Sequence, residues 1–137
     1  MNILPLPAFT DNYIWLIEEN GKASVVDPGD AKVVDSYLKE NGLKLENILI
    51  THHHYDHTGG VEQLKESYEC NVFGPYDSPF KGVEIKLKEN DEITIHGYSF
   101  KIIEVPGHTL DHIAYYSAEQ DLSLIHISSP RDQLQSR

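Results

Sequence analysis

Five side chains in this sequence carry metal-binding chemistry at telling intervals. His52, His54, Asp56 and His57 fall inside Thr51-His52-His53-His54-Tyr55-Asp56-His57, and His108 follows in Pro106-Gly107-His108-Thr109. Imidazole nitrogens and carboxylate oxygens suit Zn2+, and they also accept iron or manganese. Side chains of an extended segment alternate with period two, so His52 and His54 project to one side and can share one metal. Asp56 and His57 lie further along and can face a second metal, while His53 is out of phase and is not counted as a ligand. Three imidazoles, from His52, His54 and His108, leave one position open for water, as a catalytic zinc requires. Two metals about 3.5 Å apart can hold a bridging hydroxide and polarise a carbonyl. A surface histidine tract is the plain alternative. It would have no Asp at the fourth step, no apolar strand before it and no Gly-Gly helix start after it.

The elements around these residues must place them. Ile48-Leu49-Ile50 is a short apolar run suited to a buried strand, and the histidine-rich segment follows it at once. Ligands leaving the end of such a strand stand where α/β folds put their sites. Thr58-Gly59-Gly60 leads into a helix through about Tyr68. Upstream, Asn12 to Ile17 and Ala23 to Val26 predict two strands across a turn at Asn20-Gly21. Asp30 predicts the cap of a helix from Ala31 to Asn41, stopped by Gly42. Downstream, Asn71 to Phe73 predicts a strand. Glu92 to Ile95 and Ser99 to Val105 predict a hairpin across His96-Gly97, and Pro106-Gly107 then turns the chain toward His108. Ile113 to Tyr116 is a last strand. The chain is therefore mixed α/β.

Asp27 ends the strand expected beside Ile48 to Ile50. Its carboxylate can accept the second ring N–H of a ligating histidine, or it can simply shape a turn. His96 is expected to be a hairpin-turn residue, His112 to be structural or adjacent to the ligands, and Cys70 to be buried packing.

Together these motifs resemble the metallo-β-lactamase superfamily. The matching residues are Val26-Asp27-Pro28-Gly29, Thr51-His-x-His-x-Asp-His57 and Pro106-Gly107-His108-Thr109. Within it the sequence is most similar to glyoxalase II, the hydroxyacylglutathione hydrolases, also through Leu6-Pro-Ala-Phe-Thr-Asp-Asn-Tyr-Ile-Trp15. The resemblance covers residues 1 to about 121. It implies an α/β, four-layer αββα sandwich with two zinc ions at one edge. His52, His54 and His108 would hold the first metal. Asp56 and His57 would serve the second, and Asp56 would orient the metal-bound hydroxide. The implied reaction is hydrolysis of the thioester S-D-lactoylglutathione to D-lactate and glutathione, the second step of methylglyoxal detoxification.

The sequence departs from that pattern near its end. The family continues with a strand ending in Gly-Asp-Thr, whose Asp bridges the two metals, and a later His completes the second site. Neither occurs in Leu122-Ser-Leu-Ile-His126-Ile-Ser-Ser-Pro-Arg-Asp132-Gln-Leu-Gln-Ser-Arg137. Residues 1–121 are therefore expected to be one truncated domain, an incomplete sandwich. Residues 122–137 are expected to be a foreign tail of the kind that reading through a sequencing adapter produces. The family's helical region that holds glutathione is likewise expected to be missing, so activity is expected to be impaired. The other readings are a lactonase or another thioesterase of the same fold, a mononuclear iron persulfide dioxygenase, and a metal-binding fragment without turnover.

Charge and composition narrow the partners. A formal net charge of -11 argues against nucleic acid, although one local basic pocket still admits a small anion. No run approaches the roughly 18–20 apolar residues of a membrane span. The N-terminus does not look like a signal peptide, and one cysteine allows no intrachain disulfide. A cytoplasmic monomer acting on a glutathione thioester is the expectation.

Overall fold

In the computed structural model, residues 2–8, 12–51, 58–104 and 113–117 are described. The strands are β1 (Asn2–Ala8), β2 (Asn12–Glu19), β3 (Lys22–Val26), β4 (Lys44–Leu49), β5 (Asn71–Pro75), β6 (Ile85–Leu87), β7 (Glu92–Ile95), β8 (Tyr98–Glu104) and β9 (Ile113–Tyr116). The helices are α1 (Ala31–Asn41) and α2 (Val61–Tyr68). Two of the expected turns take the left-handed form that closes two-residue hairpins. Asn20 and Gly21 have φ of 51° and 82°, and His96 and Gly97 have 52° and 86°. The Asp30 side chain accepts from the Lys32 amide at the start of α1, and Gly42 adopts the left-handed conformation at its end.

The strands form a six-stranded sheet in the order β1-β2-β3-β4-β5-β6 and a three-stranded sheet β7-β8-β9. Strands β3 to β6 run parallel, and the other pairings are antiparallel. Two strands were not expected from sequence. Pro5 and Pro7 disguise β1, but they sit at alternate positions of an edge strand, where the missing N–H groups can face outward. β6 has only three residues and carries Lys86 in its middle.

Side-chain alternation splits the six-stranded sheet between two cores. Leu16, Val25, Ile48 and Ile50 pack with Val34, Leu38, Val61 and Leu64 against the helices. Ile17, Val26 and Leu49 pack with Ile95, Phe100, Ile102 and Ile113 against the small sheet. The layers are thus helices, large sheet and small sheet: three of the four layers of an αββα sandwich. Cys70 is buried among the helix-side residues, and burial pushes its thiol pKa up, as its packing role requires.

Candidate metal centre

The parallel strands β3, β4 and β5 all end at one edge of the large sheet, with Asp27 following β3 and Thr51 following β4 by two residues. Asp27 has a positive φ of 53°, a conformation that costs most side chains strain and that Asp tolerates better than most. Several hydrogen bonds hold it there. Its amide donates to the Leu49 carbonyl at 2.9 Å. Its carboxylate accepts from the Thr51 amide at 2.7 Å and from the Thr51 hydroxyl at 2.5 Å, and both residues are buried. Asp27 therefore fixes the residue that immediately precedes His52.

The other side of the histidine-rich segment is held by the same turn. The Gly60 amide donates to the Pro28 carbonyl at 2.9 Å. A Cβ on Gly60 would lie 2.6 Å from the Ala31 nitrogen and 2.7 Å from the Pro28 oxygen, so only glycine allows α2 to start this close to the 28–31 turn. Thr58 is buried beside it. Thr51 before the histidine-rich motif and Gly60 after it are thus both tied to residues 27–31.

The small sheet reaches the same edge. Glu104, the last residue of β8, pairs with Ile113, the first of β9. The Ile113 amide donates to the Thr51 carbonyl at 2.9 Å. The Tyr115 hydroxyl donates to the Ile50 carbonyl at 2.7 Å, and burial raises its pKa, which keeps it a neutral donor. Glu104 and Ile113, which flank the His108 motif, are thus register partners, and Ile113 is bonded to Thr51, the residue before His52.

The predicted ligands His52, His54, Asp56, His57 and His108 lie outside the described residues, as do His112, His126 and the tail 122–137. Of the site residues named from sequence, the structure describes Asp27 alone, and places it at the convergence of the flanks. Among the described residues no group of three His, Cys, Asp or Glu side chains is placed to hold a metal. Sequence reasoning missed Thr51, Gly60 and Ile113 as positioning residues. Gly60 carried a signal, in the Gly-Gly before a helix. The Thr51–Ile113 contact carried none, because it joins two sheets.

Imidazoles and a carboxylate, the side chains expected from sequence to be ligands, are donors that zinc, iron and manganese take. The described residues Thr51 and Ile113, which flank the two motifs, are in contact.

Comparison with known proteins agrees with this architecture. Residues 8–80 match the model of the metallo-beta-lactamase superfamily. The chain is 50% identical over 121 residues to a hydroxyacylglutathione hydrolase of Albidiferax ferrireducens, covering 88% of this chain and 48% of that protein. It is 52% identical over 122 residues to one of Ectopseudomonas mendocina, covering 87% and 48%. It spans about half the length of the curated relatives it matches. Among solved structures, the BLEG-1 B3 metallo-beta-lactamase superposes with a TM-score of 0.76 at 22% identity, over 87% of this chain and 68% of that one. That likeness speaks to the fold, and the family match covers more than half of the chain. A strained Asp at a strand end, two anchored flanks and a second sheet pinned to the same edge thus serve a known architecture: this chain belongs to the metallo-beta-lactamase superfamily.

Proposed function

We propose that this chain is the metal-binding half of a glyoxalase II type thioester hydrolase. The observation that carries the reading is the Ile113–Thr51 hydrogen bond, which brings the flanks of both ligand motifs to one edge. Names of relatives near 50% identity supply the substrate class, a hydroxyacylglutathione. His52, His54 and His108 would hold the first metal ion, and Asp56 and His57 would serve a second. Zinc is the metal proposed, with iron or manganese as the other occupants the donors accept. When bound, the metal supplies a Lewis acid for the thioester carbonyl and lowers the pKa of water.

The chain's own residues position the reaction. Asp27 holds Thr51, the residue before the histidine-rich motif, and the Pro28 carbonyl holds Gly60, three residues after it. Ile113, which follows the His108 motif, is bonded to Thr51. Asp56 would orient the attacking water. The departing glutathione thiolate is a good leaving group and needs little help from an acid.

These 137 residues hold no Gly-Asp-Thr after β9, so a bridging carboxylate is not supplied by them. Of the second site's proposed ligands these residues contain Asp56 and His57, and the first metal, on three imidazoles, is proposed to be the tighter one. Among the described residues no helix is long and apolar enough to cross a membrane.

The test is release of free thiol from S-D-lactoylglutathione. It should be run on this chain and on a chimera carrying the C-terminal half of the Albidiferax ferrireducens relative. Turnover far faster in the chimera supports the reading. Lactone hydrolysis with no thioester hydrolysis in either would replace it with a lactonase of the same fold.

A further inference from the structure

The end of the sheets opposite the metal edge contains a polar row that the metal centre does not use. On the face of the large sheet turned toward the small one, Ser24, Asn47 and Asn71 are register neighbours on β3, β4 and β5. The next row on that face is apolar: Val26, Leu49 and Phe73. Asn71 Nδ2 donates to Asn47 Oδ1 at 3.2 Å, and Asn47 Nδ2 donates to Ser24 Oγ at 3.1 Å. The row ends on His96, whose Nε2 lies 2.9 Å from Ser24 Oγ. His96 belongs to the β7–β8 turn of the other sheet, and its side chain is 1% exposed.

We propose that His96 is a pH-sensitive clasp that fixes the small sheet against the large one, and that protonating it loosens the metal edge at the far end of the same two sheets. The proposal rests, for its metal arm, on the function proposed above.

Three features of the geometry support it. The first is the turn. His96-Gly97 occupies a two-residue left-handed hairpin, where Asn is locally favoured and His is a poorer choice. The ring gains nothing in its own hairpin but reaches Ser24 across the interface. The second is a bulge. The register of β3 and β4 shifts between Ala23–Leu45 and Ser24–Asn47, which leaves Glu46 as the extra residue of β4. Bulges re-aim side chains, and Glu46 Oε1 stands 3.6 Å from His96 Nδ1, too far for a hydrogen bond. The third is proton accounting. With Asn47 donating to Ser24 Oγ, the assignment that also gives the hydroxyl hydrogen an acceptor has it donating to His96 Nε2, with the single proton of the neutral ring on Nδ1, facing Glu46. A second proton, on Nε2, would confront that hydroxyl hydrogen at a fully buried serine and strip it of its acceptor.

The surrounding charges pull both ways. Burial holds the His96 pKa below the ordinary histidine value. Glu46 on β4 and Glu19 on β2 oppose that, and Lys22 on β3 adds to it. Lys22 is itself paired with Glu46 at 3.7 Å. Lys44 and Glu69 line the same cleft, of about 380 Å³. The link to the metal edge is β8, which starts just after Gly97 and ends at Glu104, the register partner of Ile113. A small sheet released at His96 is free to shift the Ile113–Thr51 contact.

The test compares the wild-type chain with H96N and S24A. Asn at position 96 keeps the favoured turn and removes the titration, so H96N should fold. Amide exchange in β7 and β8, corrected for its intrinsic pH dependence, should accelerate in the wild type as pH falls through the His96 titration followed by NMR. In H96N it should not. Zinc affinity should fall about fivefold more in the wild type than in H96N between pH 7.5 and 5.5, a typical coupling between two sites. The ligand histidines titrate equally in both and cancel. Equal pH response of exchange in wild type and H96N overturns the clasp. Accelerated exchange with an unchanged affinity ratio overturns its coupling to the metal edge. A chain that binds no zinc at any pH refutes the metal reading, and the exchange arm still decides the clasp.

Discussion

The two ends of the large sheet solve different problems with different chemistry. At the metal edge, a charged carboxylate and a strained backbone hold one chain segment: Asp27, at φ 53°, grips Thr51 through two short hydrogen bonds. At the opposite end, neutral amides and a hydroxyl form a row across three strands and pass it to His96 in the second sheet. Between them lies an apolar interface of Val26, Leu49, Ile95, Phe100 and Ile102. The difference shows what each end must do. The end at Asp27 fixes the residue before the proposed ligands, and it holds that residue through a backbone at positive φ. The far end fixes how the sheets sit, so it uses bonds that span them.

The largest break in this comparison comes from the proposed ligands. His54→Ala should lower zinc affinity by more than about 100-fold, beyond the range for a residue that only orients a ligand. Ser24→Ala, at the other end, removes the clasp but no ligand, and should lower neutral-pH affinity by only about fivefold. Competition against a chromogenic chelator reads both. Asp27→Ala should weaken zinc binding by about 10–100-fold. It should also destabilise the fold by about 1–3 kcal/mol, because the buried Thr51 amide and hydroxyl lose their acceptor. Unchanged affinity in that variant would reduce Asp27 to a turn residue. Gly60→Ala should cost about 1–3 kcal/mol, since its Cβ meets backbone at 2.6 Å that cannot move aside cheaply. The midpoint of urea unfolding measures it.

The smallest effects fall at the far end. Ser24→Ala should cost about 1 kcal/mol by leaving Asn47 and His96 without their shared partner. His96 also makes stability depend on pH. Its folded pKa lies below the ordinary 6.5, so the unfolded chain takes up the proton first. The contribution is fully present above 6.5 and is lost as pH falls through the folded value, at no more than about 1.4 kcal/mol per pH unit. Urea midpoints measured across that window should fall in the wild type, and this share of the fall should vanish in H96N.

Local features of the fold were legible in the sequence, and long-range ones were not. Asp30, Gly42, Asn20-Gly21 and His96-Gly97 announce their caps and turns because each acts on its own neighbours. The spacing of His52, His54, Asp56 and His57 is equally local, so the metal proposal comes directly from the sequence. β1 was hidden by Pro5 and Pro7, which argue against a strand unless its edge position is known. The ring of His96 was read as turn filler because Ser24, its partner, lies 72 residues away in another sheet. Thr51 and Ile113 were silent for the same reason: their contact is between backbone atoms, which no side-chain pattern reports.

The central claim is that one edge of this sandwich gathers a metal centre from both sheets. Zinc content and affinity, measured by elemental analysis and chelator competition on the purified chain, test it most directly. One tightly held zinc per chain, lost in His54→Ala and in His108→Ala and kept in Ser24→Ala, is the predicted result. Zinc retained equally in the His54 and His108 variants would contradict it.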